Sequence, residues 1–421
     1  MSPHQQLQRR LGAVDATAIG LGSMLGAGVF VVFAPAAGLA GDFLVLAVLL
    51  AGAVAYCNAV ASAALAARYP ASGGTYVYGR KRLGEWPGFL AGWGFVTGKT
   101  ASCAAMALTF GYYVAPPYAV PIAIAAVVAL TAVNLFGITR TALLTKILLG
   151  IVVATLAFVA AAAILGPHPA GAGAGPATAG GIGGVLPAAG LMFFAFAGYA
   201  RIATLGEEVR DPAKTIPRAI LAALAGAFVI YLAMALLLLN HLPDGRLAAS
   251  MAPLLEAVVN SRLGAGAPLV QAGAAAACLG ALLALITGIG RTALAMARER
   301  DLPGPLARVG GKHTVPYVAE LSVAAAVVLL LLTTDVMTVV GFSSFGVLIY
   351  YAVANAAAYT LEEHPAHAPR WLNVVGFFSC LLLAFTLPPA SVVGMAAVLA
   401  VGAAGRFLVL RFRRQAASGT G

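Results

Sequence analysis

Apolar runs of 17 or more residues alternate with short polar stretches along the whole chain. Each run can cross a hydrocarbon core of about 30 Å as a helix. The pattern predicts twelve helices, at about 14–37, 43–67, 88–115, 119–136, 142–165, 185–206, 218–240, 266–290, 317–333, 336–359, 371–387 and 390–410. No polar segment is long enough for a separate soluble domain. The longest irregular stretch, Gly166 to Gly184, is rich in Gly, Ala and Pro and reads as a loop. The next, about 241–265, has room for a short surface helix around Met251–Val259.

Composition and charge fix the solvent and the orientation. Of 421 residues, 61% are hydrophobic and 9% charged, against about 25% charged in a soluble domain. The expected fold class is therefore an all-α polytopic membrane protein. A net charge of +11 would suggest nucleic acid in a soluble chain, but its placement argues otherwise. With the N-terminus set inside, 22 of the 25 Lys and Arg fall in loops or tails on that side. Only Arg246 and Arg262 fall opposite, and Lys99 lies within a helix. This is the positive-inside pattern. It predicts cytoplasmic termini, a cell (inner) membrane location, and the lipid bilayer rather than nucleic acid as partner. Residues 1–13 are polar and the first apolar run is too long for a cleavable signal. The four cysteines fall in predicted spans without ligand spacing, and the six histidines fall in loops or tails. No metal, cofactor or enzymatic cluster is expected.

The first and sixth helices carry the chemistry. Helix 1 holds Gly20, Gly22, Ser23, Met24, Gly26, Ala27 and Gly28 in close succession; helix 6 holds Phe193-Phe194-Ala195-Phe196-Ala197-Gly198-Tyr199. Both clusters lie roughly 15–20 Å from the helix start, near the bilayer midplane. Because five helices separate them, the two run in opposite directions. Interrupted helices in matching, oppositely oriented places point to an inverted-repeat transporter with a midplane site. Glycine also serves close helix packing; for helix 6 the two readings balance, while helix 1 favours a break. A break exposes amides at Gly26, Ala27 and Gly28, which suit a carboxylate. It also exposes carbonyls near Ser23 and Met24, joined by those near Phe194 and Ala197, which suit an ammonium. Such a site matches the zwitterionic head of an amino acid. Phe194 and Phe196 either cover the substrate or pack.

These residues resemble a known family. Gly22-Ser23-Met24-Leu25-Gly26-Ala27-Gly28-Val29-Phe30 is similar to the first-helix signature of the amino acid–polyamine–organocation superfamily. Pro70-Ala71-Ser72-Gly73-Gly74-Thr75-Tyr76-Val77-Tyr78, the helix 6 run with Glu207-Glu208 and Ile216-Pro217-Arg218, and Arg291 through Pro303 follow in family order. The resemblance implies a five-plus-five inverted fold: repeats at 14–165 and 185–360, then two further helices and a tail at 361–421. It implies amino-acid transport by alternating access, with residues 23–28, Ala197 and Gly198 at the substrate and Phe194 as lid. Loops 68–82 and 207–218 would help close an inner gate. The position after the helix 6 glycine–aromatic pair, often acidic in members with cationic substrates, is Ala200 here. Small neutral or apolar amino acids are therefore expected. Helix 8 offers Thr287 without a paired hydroxyl, which disfavours sodium coupling.

Two lysines are candidates for carrying a proton. Lys99 sits deep in helix 3, where a charge is costly and functional by default, unless the helix starts later and the side chain snorkels. Lys146, one turn into helix 5, is most simply a snorkelling residue; the resemblance implies a coupling role for it. Proton-coupled symport is the expectation. The alternatives are amino-acid exchange, polyamine or amine transport, and a membrane-embedded sensor or enzyme.

Overall fold

The computed structural model describes residues 11–26, 28–69, 74–136, 142–165, 180–203, 209–242, 245–310, 315–363 and 368–418. Ala27, residues 70–73, the Glu207-Glu208 pair and most of the expected loop 166–184 lie outside them. The described chain is helical apart from two isolated β-bridges. The first span comprises α1 (Ala13–Leu25), α2 (Gly28–Val31) and α3 (Phe33–Ala40); the second is α4 (Leu44–Arg68). After a surface helix α5 (Gly74–Leu83) come α6 (Glu85–Val114), α7 (Ala119–Leu135) and α8 (Ala142–Leu165). The sixth span is α9 (Val185–Phe196) and α10 (Ala200–Ala203), joined by a 3₁₀ turn. The seventh is α11 (Pro212–His241), followed by the short helices α12 (Arg246–Ala249) and α13 (Pro253–Val259). The remaining spans are α14 (Ala267–Arg298), α15 (Tyr317–Thr333), α16 (Val336–Tyr359), α17 (Arg370–Thr386) and α18 (Pro389–Ser418).

Nine of these segments are long and apolar enough to cross a membrane. Helices α15 and α17 are shorter apolar helices, and α6 has the length but carries glycines and Lys99 along it. Among the described residues, helices occupy all twelve expected positions, and a surface helix stands at 253–259. Two details differ. Helix α5 replaces an expected loop, because its sequence Gly-Thr-Tyr-Val-Tyr-Gly-Arg-Lys-Arg-Leu has no apolar run to betray it. His241 ends α11 and is buried rather than standing in a loop.

Lipid tails are as apolar as leucine, so helices associate through close packing rather than exclusion from water. Helices α6 and α16 meet through glycine. A Cβ added to Gly94 would come 2.9 Å from the Gly346 carbonyl oxygen, and one on Gly346 would come 2.6 Å from that of Gly94. Further along the seam the Ser102 and Ser343 hydroxyls lie 2.6 Å apart. Large exposed side chains such as Leu329, Phe378, Phe385 and Val401 point outward to the acyl chains.

One charged cluster fastens the side that carries the N-terminus. The Arg406 guanidinium of α18 lies 3.0 Å from the Asp301 carboxylate, and both side chains are 3% exposed. Arg80 of α5 approaches the same carboxylate at 2.7 Å, and the Tyr76 hydroxyl donates to it at 2.8 Å. Burial and the neighbouring Asp301 charge hold the Tyr76 phenol above its ordinary range, keeping it a donor. Arg406 also pairs with Glu85 at 3.1 Å and stacks on Trp86 and Phe89. A single carboxylate thus ties α5, the end of α14 and the last span together. Removing one partner of a buried pair costs about 3–5 kcal/mol, because the other charge stays buried. Asp301→Ala is expected to lower the unfolding free energy in detergent by that order, read as a lower unfolding midpoint, whereas Glu299→Ala, at the exposed rim, changes it little.

Candidate functional site

The first span does not run straight. Helix α1 ends at Leu25, and Gly26 takes φ −43° and ψ −82°, closing the last turn with its amide on the Gly22 carbonyl at 3.0 Å. Ala27 lies outside the described residues, and helix resumes at Gly28. A milder bend follows at Val32, three residues before Pro35, whose ring denies the Val31 carbonyl its usual donor. The ladder continues around it, with Val32 donating to Gly28 and Ala36 to Val32.

The sixth span tightens rather than opening. Between α9 and α10, residues Ala197–Tyr199 form a 3₁₀ turn, so its interruption is a change of pitch and not an unwound stretch. A switch from i+4 to i+3 bonding leaves nearby carbonyls without their helical partners. Gly198 lies against the first break: a Cβ there would fall 2.5 Å from the Ser23 carbonyl carbon and the Met24 nitrogen. A Cβ on Gly28 would fall 2.7 Å from the Ala195 Cα. Glycine is needed at both positions for backbone to meet backbone. The two spans are antiparallel, since the Arg210 amide, just past the sixth, donates to the Leu11 carbonyl before the first at 2.9 Å.

Side chains from other spans satisfy the freed carbonyls. The Tyr231 hydroxyl of α11 lies 2.7 Å from the Met24 carbonyl oxygen and 3.1 Å from that of Ala195, bridging both interruptions. The Ala197 carbonyl faces the Lys99 ammonium at 3.4 Å and the Tyr351 hydroxyl at 3.5 Å. Helix α6 begins at Glu85, earlier than the pattern suggested, so Lys99 lies 14 residues in, roughly 21 Å along the helix. Its 7% exposure excludes snorkelling to either surface.

A cavity of about 490 Å³ lies beside the two interruptions. Ser23, Met24, Gly26, Gly28, Phe194, Ala197, Gly198 and Lys99 all border it. Lys146 does not: it pairs with Asp15 in the first turn of α1, about 16 Å along that helix from the break. Phe194 borders the cavity, while Phe196 packs edge-on to Tyr231 at 4.9 Å. The opposite wall is a stripe of small residues on α14, including Ala277, Ala281, Ala284 and Gly288. Arg201, Arg291 and Arg298 stand at the mouth, on the side of the basic loops. Among the described residues no Asp or Glu lines the cavity. Tyr231 was missed in the sequence; its one signal was a hydroxyl in the middle of an apolar run. The α14 stripe was missed as well; small residues at helical spacing were its signal.

A polytopic helical bundle with paired interrupted spans facing a largely apolar cavity is the architecture of a membrane transporter. The chain belongs to the amino acid permease family, whose model matches residues 11–406. It is 54% identical to an uncharacterized transporter of Mycobacterium tuberculosis, over 98% of this chain and 95% of the relative. It is 26% identical to the branched-chain amino acid permease BcaP of Bacillus subtilis, over 97% and 95%. It is 27% identical to the cationic amino acid transporter 7, chloroplastic, of Arabidopsis thaliana, over 91% and 71%.

The bridging hydroxyl gives a direct test of the site's construction. Tyr231→Phe keeps the ring and removes the single hydroxyl proton that the Met24 and Ala195 carbonyls share, at a cost of about 1–3 kcal/mol. The variant is expected to fold with a lower thermal midpoint and to lose ligand-induced stabilisation. An unchanged midpoint would show that water or a neighbour satisfies both carbonyls.

Proposed function

We propose that this chain moves amino acids across the cell membrane by alternating access, driven by protons. The observation that carries the reading is the cavity itself, where peptide groups of two antiparallel spans meet at mid-membrane. The first amides of the resumed helix lack i−4 partners and favour a carboxylate. The carbonyls around Met24 and Ala197 favour an ammonium. Both spans thereby recognise the head group common to all amino acids and leave the side chain to the cavity wall.

That wall supports small neutral or apolar substrates. Ala277, Ala281 and Ala284 give it an apolar surface. No carboxylate among the described lining residues is placed to hold a cationic side chain or a polyamine, and a second unpaired cation in so dry a site is costly. The inverted repeats at 14–165 and 185–360 fit the antiparallel meeting of the first and sixth spans. Cytoplasmic termini follow from the basic loops, and the cavity then opens inward. Coupling by Lys99 is favoured over coupling by Lys146, because Lys99 borders the cavity while Lys146 is held by Asp15 near its end of the span.

Purified protein in proteoliposomes is expected to exchange labelled alanine or leucine across the bilayer, with excess lysine, arginine or putrescine competing at least about tenfold less well. Competition by putrescine without competition by any amino acid would overturn the reading in favour of an amine carrier. Binding without flux in these vesicles would favour a sensor.

A further inference from the structure

Lys99 occupies the place that a substrate ammonium needs. The carbonyl oxygen of Ala197 has room for two donors. One direction faces the Tyr351 hydroxyl at 3.5 Å and the other the Lys99 Nζ at 3.4 Å. This carbonyl is the hydrogen-bond partner of Lys99 among the described residues, and it borders the cavity together with Gly198 and Phe194. An ammonium donating to it would sit about 3 Å from the oxygen, hence within a few ångström of Nζ. Two positive charges at that separation repel strongly where little water screens them.

Among the described residues, the surroundings offer no compensating anion. On its own helix the nearest titratable group is Cys103, one turn along. Helix α16 contributes the phenols Tyr350 and Tyr351, and the sixth span contributes Tyr199. Arg201, Arg291 and Arg298 at the mouth add only positive charge, and Tyr76 adds a phenol. The carboxylates at the start of α6 and the end of α14, Glu85, Glu299 and Asp301, are engaged by Arg80 and Arg406. Glu320 of α15 stands against Gly290, away from the cavity lining. Nothing in the described wall lets a charged Lys99 and an ammonium share the site.

We propose, resting on the amino-acid reading above, that a proton on Lys99 and the ammonium of the substrate exclude one another, so that the chain exchanges protons for amino acids rather than carrying both together. When the substrate enters, the Lys99 Nζ–H bond breaks and the proton passes to cavity water. The neutral amine left behind keeps its electron pair and tolerates the incoming ammonium. When the substrate leaves, Nζ takes a proton from water on that side. Each half of the cycle thus carries either a proton or a zwitterion, which moves one positive charge per exchange. With the usual inward proton gradient, the net direction for the amino acid is outward. The exchange proposed here differs from the symport expected from the sequence.

The sign of the pH effect separates the two schemes. For antiport, alanine or leucine binding to purified protein is expected to weaken by up to about tenfold per unit of falling pH over the range where Lys99 charges. In weakly buffered detergent solution, addition of either amino acid is expected to release up to one proton per site, read with a pH-indicator dye. Lys99→Met is expected to bind more tightly at low pH than the unmodified protein, to lose the slope, and to release no proton. Lys146→Gln is expected to keep both slope and release. Proton uptake on binding, or affinity that rises as pH falls, would overturn the proposal. So would pH-independent binding in the unmodified protein, or a slope lost in Lys146→Gln and kept in Lys99→Met. Dye release and the slope are measured on the unmodified protein, so a variant that fails to fold leaves the test standing. Binding of no amino acid at all would instead defeat the underlying transport reading, whereas binding without proton release defeats antiport alone.

Discussion

Within a membrane an unpaired peptide group has no water to turn to, and this constraint organises the structure. Two spans here give up part of their helical ladder, and each freed carbonyl identified is met by a side chain from elsewhere. Tyr231 reaches the Met24 and Ala195 carbonyls, and Lys99 and Tyr351 reach that of Ala197. The donors come from three different spans, so the recognition site cannot form until the bundle has assembled. A ligand that supplies its own donors and acceptors at these points competes with internal partners rather than with bulk water. That is a physical basis for coupling binding to rearrangement, since every partner displaced is free to move.

Rearrangement also requires seams that can slide. Glycine and alanine line the contacts that matter, with Gly198 on Ser23 and Met24, Gly28 on Ala195, and Gly94 with Gly346. Such contacts bring backbones close without interlocking large side chains, and so hold by dispersion over short range. Large aromatics stand elsewhere: Phe193, Tyr199 and Tyr351 pack against one another behind the site. The ion cluster at Asp301 is of the opposite character, directional and buried. It fixes α5, the α14 end and α18 as one body against which the interrupted spans can tilt.

How much of this was readable from the chain depends on which physics carries the signal. Helix placement follows from apolar length: α7, α8 and α15 match to within a residue, while α11, α14 and α18 extend several residues past the apolar runs. The positions of the interruptions were legible from glycine clustering, but their forms were not. Gly26 ends a helix whereas Gly198 sits in a 3₁₀ turn, and that difference is decided by which neighbour accepts or donates, not by local sequence. Helix α5 was invisible because it owes its place to Tyr76 and Arg80 meeting Asp301, more than two hundred positions away. The depth of Lys99 was legible; its partner was not, because a carbonyl on another span leaves no mark in composition.

The charge of the cavity follows from the same economy. A transporter for zwitterions needs a site close to neutral, since a fixed charge in a dry cavity must be matched in both the loaded and the empty state. Carbonyls and amides supply opposite partial charges with no net charge, which suits the loaded state. The empty state is the harder one, because the ammonium-seeking carbonyl is then left facing a void. On the exchange proposed above, Lys99 fills that need, donating to the Ala197 carbonyl. A tethered cation that stands in for part of the substrate keeps the site's electrostatics alike whether loaded or empty. The bundle can then change its exposure in either condition without an unpaired carbonyl at its centre.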